Sequence, residues 1–204
     1  MKKNIMIGAL LVLSAAAQAK ETRTLTQTFE LADSKELEIQ FPIGKLKTQS
    51  HTGKTIEVTI VLEPAEYDID NMADVLEDVQ LDSRRTGDDL SLSINNKYVK
   101  QHWTVKVPES VELDVEIDVG NVKLLGLNND ADVEIGVGNV NIESNAKDFR
   151  RVRFDSGVGK TRISDLPGEA NTDRNMVGET LRYRGDGEHS LDIEVGVGNI
   201  TLRR

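Results

Sequence analysis

The chain has 204 residues with no cysteine, 25 lysines and arginines against 35 aspartates and glutamates, and a formal charge of −10. Without cysteine there are no disulfides, thiol nucleophiles or thiolate metal sites, so stability has to come from burial and hydrogen bonding. The acidic balance argues against nucleic acid or anionic lipid as a partner, since both reward clustered lysine and arginine.

Residues 1–19 combine a basic start (Lys2, Lys3), an apolar run from Ile5 to Val12 and beyond, and the small-residue ending Ala17-Gln18-Ala19. This is the pattern of a secretory signal peptide cleaved before Lys20. Polar Ser14 and Gln18 interrupt the run, which falls short of the roughly 20 apolar residues of a membrane-spanning helix. Residues 20–204 then carry 23 basic and 35 acidic side chains, a formal charge of −12. Their expected location is periplasmic or extracellular, in soluble form, with no integral membrane segment after cleavage.

Residues 20–108 read as the N-terminal β portion of a single domain. Thr22 to Phe29 alternates as an opening strand, and Leu37 to Thr48, with Gly44 inside it, has the layout of a first coil. Lys54 to Glu63 alternates again until Pro64. Met72, Val75, Leu76 and Val79 stand at helical spacing in and just after Asp68 to Asp78, a short helix or else a loop. Strands over Val79–Arg84 and Leu90–Asn95 flank the turn sequence Thr86-Gly-Asp-Asp89.

Residues 109–204 form a regular β-repeat array. The phrase Asp114-Val-Glu-Ile-Asp-Val-Gly120-Asn-Val recurs as Asp132-Val-Glu-Ile-Gly-Val-Gly138-Asn-Val and Asp192-Ile-Glu-Val-Gly-Val-Gly198-Asn-Ile. Weaker copies surround Gly159 and Gly178, so the marker glycines lie 18, 21, 19 and 20 residues apart. Periods near 20 indicate stacked coils. The expected fold is all-β, a single-stranded β-solenoid-like stack of about 20-residue coils. Burial of six aliphatics, at roughly 1.5 to 3 kcal/mol each, does not offset the backbone entropy of one coil, so the coils must stabilise one another.

Counting from each marker glycine, apolar residues occupy positions −7, −5, −3 and −1, then +2 and +4. Alternation puts them on one face, and a slip at the glycine and the residue after it turns a corner. Gly44, Gly120, Asn121, Gly138, Asn139, Gly159, Gly198 and Asn199 are accordingly structural turn residues, chosen for their tolerance of positive φ. Asn171, Asp173 and Asn175 break the pattern before Gly178, so that coil bulges out or serves another purpose. The charged end Leu202-Arg-Arg204 suits an exposed edge.

Val105-Lys-Val-Pro108 followed by Gly120-Asn-Val, Gly138-Asn-Val and Gly198-Asn-Ile, with Gly44-Lys-Leu near the start, resembles the toast-rack-like β-strand repeat family of bacterial envelope proteins, described as candidate adhesins. The resemblance covers the chain after the leader. It implies a β-solenoid-like stack in an exported protein, often near envelope-stress or signalling components, with no catalytic residues and no cofactor to carry over.

Several constellations invite chemistry. Ser156-Gly-Val-Gly-Lys160-Thr161 resembles a phosphate loop, but Phe154 stands where that loop needs glycine. Asp114, Glu116, Asp132 and Glu134 fall on the outward face, where four carboxylates make a weak divalent-cation candidate or simply a solvated face. As acidic pairs they also suggest a carbohydrate-active β-helical enzyme, although flat acids outside a cleft seldom catalyse. His51, His102 and His189 show no metal-ligand spacing. Trp103 and Tyr98 fit a core or lid position better than a sugar platform. Gly136, Gly157 and Gly196 leave a strip of bare backbone beside the corner where an extended partner could dock.

These readings converge on a non-catalytic scaffold or adhesion module without a cofactor. Its expected partner is an envelope protein or a glycan, with self-association open to it and no nucleic acid. The alternatives are the carbohydrate-active enzyme and a cation-stabilised surface adhesin.

Overall fold

The computed structural model describes residues 22–31, 35–65 and 72–204. The signal-peptide reading of residues 1–19 and the start of the expected helix lie outside these residues. In chain order the elements are β1 (Arg23–Glu30), β2 (Glu36–His51), β3 (Thr55–Pro64), α1 (Met72–Asp78), β4 (Asp82–Thr86), β5 (Asp89–Ser93), β6 (Val99–Pro108), β7 (Glu112–Leu127), β8 (Ala131–Ser144), β9 (Arg151–Val158), β10 (Thr161–Ser164), β11 (Ala170–Arg174), β12 (Glu179–Arg184), β13 (Ser190–Val197) and β14 (Ile200–Arg203). The chain is all-β, and its fourteen described strands belong to one sheet.

The alternation read from the sequence produces these strands, and the repeated phrase sets their register. Leu113, Val115 and Ile117 pair with Ala131, Val133 and Ile135, which pair in turn with Leu191, Ile193 and Val195. Parallel, in-register pairing stacks like on like. One column runs Ile39, Val115, Val133, Ile193, Phe154, Leu181 across six strands, every member buried. Beyond the corner, Leu46, Val122, Val140 and Ile200 form a second buried column. Both arms feed one apolar core.

Chain order and spatial order part company after β8. The sheet runs β2-β7-β8-β13-β9-β12-β11, so residues 190–203 slot between β8 on one side and β9 and β10 on the other. The expectation that Leu202 to Arg204 forms an exposed edge is therefore wrong, because β14 is paired on both sides. The irregular coil near Gly178 is a hairpin. β11 and β12 pair antiparallel across a turn in which Asn175 N donates to Gly178 O (3.0 Å), and β12 runs antiparallel to β9. Asn171 and Asp173 are tolerated because the whole of β11 is exposed.

The corner also differs from the expected one. Val119, Val137 and Val197 at position −1 face outward, as does Val158, each between 45% and 47% exposed. Burial stops at Ile135 and resumes at Val140, so the corner takes four residues where the sequence pattern implied two. Position −1 lies inside the turn. A Val137→Asp chain is accordingly expected to fold, with an unchanged β-sheet spectrum and a melting temperature within about 4 °C of wild type. Unfolding of that variant would restore the inward assignment.

Elsewhere the departures are small. The hairpin strands lie at 82–86 and 89–93, joined through Gly87 at φ 63°. Helix α1 occupies Met72–Asp78, and Arg23 Nη1 donates to the carbonyls of Leu76, Glu77 and Val79 (2.6, 2.5 and 2.7 Å), satisfying acceptors at its C-terminal end.

Candidate functional site

Register places the outward charges of successive strands directly beside one another. Glu38, Asp114, Asp132, Asp192 and Arg153 form one row, and Gln40, Glu116, Glu134, Glu194 and Asp155 the next. The first row borders an open groove of about 660 Å³ across the β2, β7, β8, β13, β9 and β12 arms. Its lining changes sign along its length. Glu36, Glu112, Asp114 and Asp132 occupy one end, and Arg150, Arg151 and Arg184 the other.

Ion pairs hold the junction between the two ends. Arg153 Nη1 and Arg151 Nη2 lie 3.3 and 3.6 Å from the Asp192 carboxylate. Asp130 accepts from Ser190 N (2.7 Å), sits 3.1 Å from His189 Nδ1, and lies 3.9 Å from Arg150 Nη2. The Ser190 hydroxyl accepts from Arg150 Nη2 at 3.0 Å. At the acidic end the carboxylates mainly face one another. Loss of hydration, and then Asp192, Asp114, Glu134 and Glu194, push the Asp132 carboxyl above its ordinary range. Asp114 is raised by loss of hydration, then by Glu38 and Glu134. Glu36 is raised by loss of hydration, then by Asp89, Asp114, Glu112 and Glu38.

A raised folded-state carboxyl means that the folded protein holds its proton more tightly than the unfolded chain does. The ionised form therefore destabilises the fold at neutral pH, and that penalty disappears as pH falls through the raised value and below the unfolded one. Asp114→Asn/Asp132→Asn is expected to raise the melting temperature by roughly 1 to 3 °C at pH 7. Near pH 3, where Asp114 and Asp132 of wild type are largely protonated in the folded and the unfolded state alike, the gain should vanish. A gain of equal size at both pH values would show that repulsion is not its source.

The sequence matches a known family, and the fold has a counterpart among solved structures. Residues 15–164 match the family described as the N-terminal domain of toast_rack, DUF2154. The chain belongs to this toast_rack family. A candidate cell adhesion protein from Clostridium sporogenes, solved as a crystal structure, shares the fold with 14% identity and a TM-score of 0.53, over 90% of this chain and 99% of that one. A candidate adhesin from Bacteroides fragilis aligns at 12% identity and a TM-score of 0.28, over 88% of this chain and 97% of that one. Curated protein sequences give no match.

Within this toast_rack chain the sequence-predicted site residues separate. Asp114 and Asp132 line the groove, whereas Glu116 and Glu134 stand in the neighbouring row outside it. Among the described residues no group of three or more histidines and carboxylates is placed to hold a metal ion. Asp114 and Asp132 do not lie on a flat face, contrary to the sequence expectation, because the β9 and β12 arginines build the far end of a groove. Sequence reasoning does not reach those arginines. The one signal for them is Arg153, at a position that holds aspartate in the other copies.

The glycine strip is close-packed backbone. A Cβ on Gly136 would lie 2.6 Å from Asp118 O, one on Gly196 2.6 Å from Gly136 O, and one on Gly157 2.7 Å from Gly196 O. Gly136, Gly157 and Gly196 are exposed, and any side chain placed on them has to displace a neighbouring strand's carbonyl, so this strip of bare backbone cannot be filled without disturbing the stack. The marker glycines are tighter still. A Cβ on Gly44, Gly120, Gly138, Gly159 or Gly198 would meet the adjacent carbonyl at 1.4 to 2.2 Å, and all but Gly120 take φ between 150° and 156°.

The asparagines beside them serve a different purpose from the one expected. Among the described residues Asp165 alone, apart from glycines, has positive φ, so Asn121, Asn139 and Asn199 are not there for backbone freedom. They form a ladder. Asn139 N and Nδ2 donate to Asn121 Oδ1 (3.1 and 3.0 Å), Asn199 N and Nδ2 donate to Asn139 Oδ1 (3.0 and 3.1 Å), and Lys160 N donates to Asn199 Oδ1 (3.0 Å). Each side chain supplies the acceptor that the next corner's backbone needs.

Of the two aromatic candidates, Trp103 takes the core position expected of it and Tyr98 does not. Trp103 is buried, stacks on Phe41 at 5.4 Å between centroids, and donates to Gln101 Oε1 (3.0 Å). Tyr98 lies exposed beneath Lys97 Nζ. His51 bonds within its own turn, and His102 Nε2 stands 3.7 Å from Glu63. Among the described residues no helix is long and apolar enough to cross a membrane.

Proposed function

We propose that the chain is a non-catalytic binding module exported to the cell envelope, acting through the groove that crosses its stacked strands. The observation that carries this reading is the division of charge along the groove, acids on β2, β7 and β8 and arginines on β9 and β12. Charge of both signs on an in-register surface selects partners by complementarity. The fold likeness to a candidate cell adhesion protein agrees with a binding role, and the leader pattern of residues 1–19 supports export. The parallel, in-register pairing of β2, β7, β8 and β13 offers the long surface that such a module uses. Proximity to envelope-stress components follows from the family resemblance alone and belongs to the same proposal.

The test is capture from crosslinked envelope extract by the exported protein, followed by mass spectrometry for proteins and sugar analysis for glycans. An Asp132→Lys/Arg184→Glu variant, with both ends of the groove reversed, serves as the comparison. A component retained by wild type and lost by the variant supports the groove. Equal capture by both, or none by wild type, removes it.

A further inference from the structure

We infer that the arginine end of the groove is an anion clamp and that its ligand is an acidic oligosaccharide, whose hydroxyl groups are taken by the carboxylates at the other end. The inference rests on the binding-module reading and names the ligand class. One arrangement in the groove costs the fold stability. β12 pairs antiparallel with β9 so that Arg184 stands opposite Arg151 and Arg182 opposite Arg153. Directly opposed like charges on a sheet, with Cβ atoms about 5 Å apart, are destabilising. Arg151 and Arg153 are partly neutralised by Asp192, and Arg153 by Asp155. Arg182 and Arg184 have no carboxylate within salt-bridge distance among the described residues.

This is an exception on an acidic protein. Residues 150–184 hold eight basic and five acidic side chains, in a chain whose overall charge is −10. Paired guanidinium groups present planar forks suited to a carboxylate, sulfate or phosphate. Arg151 and Arg184 line the groove, so an anion held between them extends naturally toward Ser190, Asp132 and Asp114.

The acidic end decides which anion. Asp132 lies two strands across and two residues along from Arg151, about 12 Å at the strand spacing and rise of a sheet, a span that linked sugar rings cover. A nucleic acid or an acidic peptide would bring further negative charge against Glu112, Asp114 and Asp132. A free phosphate would use the arginines and ignore the acids. A uronate-bearing oligosaccharide satisfies both ends, with carboxylate to arginine on one ring and hydroxyl to carboxylate on the next. Ionised carboxylates only accept hydrogen bonds, and vicinal sugar hydroxyls supply the donors.

The experiment is titration calorimetry of the exported protein with a tetramer of galacturonate, the uncharged galactose tetramer of the same linkage, and inorganic phosphate. Wild type should bind the charged tetramer, more weakly as salt rises, and at least tenfold more tightly than either of the others. Arg151→Gln/Arg184→Gln should lose tenfold or more, and Arg184→Gln, which breaks no ion pair, should already weaken binding. Asp132→Asn should weaken the tetramer and leave phosphate unaltered, while Arg162→Gln on β10, outside the groove, should change neither. Melting curves establish that each variant is folded. Failure of the charged tetramer to bind, or equal binding to the double arginine variant, overturns the inference. Phosphate binding as tight as the tetramer and indifferent to Asp132→Asn also overturns it, leaving a bare anion site. Groove-dependent capture from envelope extract without tetramer binding refutes the glycan assignment and leaves the binding-module reading standing.

Discussion

A chain ending at residue 189 is expected not to form the folded sheet. The missing segment contains Leu191, Ile193, Val195, Ile200 and Leu202, all fully buried, worth roughly 7 to 15 kcal/mol at about 1.5 to 3 kcal/mol each. That is as large as the whole stability of an ordinary domain, about 5 to 15 kcal/mol. The segment also supplies the strand that hydrogen-bonds β8 to β9 and β10, so its loss exposes backbone edges in the middle of the sheet. Circular dichroism and limited proteolysis should report an unfolded or aggregated chain, and a synthetic peptide of residues 188–204 should restore part of the β signal. A cooperative melting transition in the truncated chain would mean that β8 and β9 pair directly when the insert is gone.

The second large effect concerns one methyl group. Gly138→Ala places a Cβ about where Gly120 O already stands, at 1.4 Å, on a residue with φ 156°. Neither the side chain nor the carbonyl can step aside cheaply, because Gly120 and Gly198 sit in the same column on either side. The stack has to open locally or the corner has to refold, at a cost expected to exceed about 4 kcal/mol. Gly87→Ala is the matched control. That glycine has φ 63°, and a Cβ there would meet nothing within 4 Å, so its loss should cost only about 1 kcal/mol of backbone strain. Chemical denaturation of the two variants separates packing from backbone preference. Similar midpoints would show that φ alone explains the repeated geometry of the corner, and would dispose of the packing argument.

The strands were legible because alternation and burial coincide over most of their length, as in Leu113, Val115 and Ile117. The corner was legible in its place and misread in its width. A two-residue slip and a four-residue turn both reset the alternation between Ile135 and Val140, and the pattern of apolar letters is the same whether Val137 faces in or out. Stacking order was hidden because near-identical phrases have near-identical preferences for one another. The asparagines nevertheless carried a clue. A ladder in which each Asn side chain serves the next corner must be continuous, which joins Asn121, Asn139 and Asn199 and leaves the Lys160 coil at its end. The outward acids say the same, since Asp192 matches Asp132 on one side and meets Arg153 on the other. The groove's arginine end was invisible for a further reason. Arg182 and Arg184 reach it only because β12 reverses direction and pairs antiparallel with β9, and no periodicity announces a reversal.

The interleaving of residues 190–203 also constrains time. A chain that emerges amino end first can pair β7 with β8 early, but the place beside β8 belongs to a segment still more than 45 residues behind. β9 and β12 must wait without closing onto β8, or reopen when β13 arrives. Pairings of such long sequence separation form slowly, and the waiting edges are vulnerable to wrong partners. Refolding should therefore end in one late step, seen together by β-sheet signal and by protection of the β8 and β9 amides. For a chain that folds as it emerges amino end first, a last-placed central strand makes release of residues 190–203 the event that locks the structure.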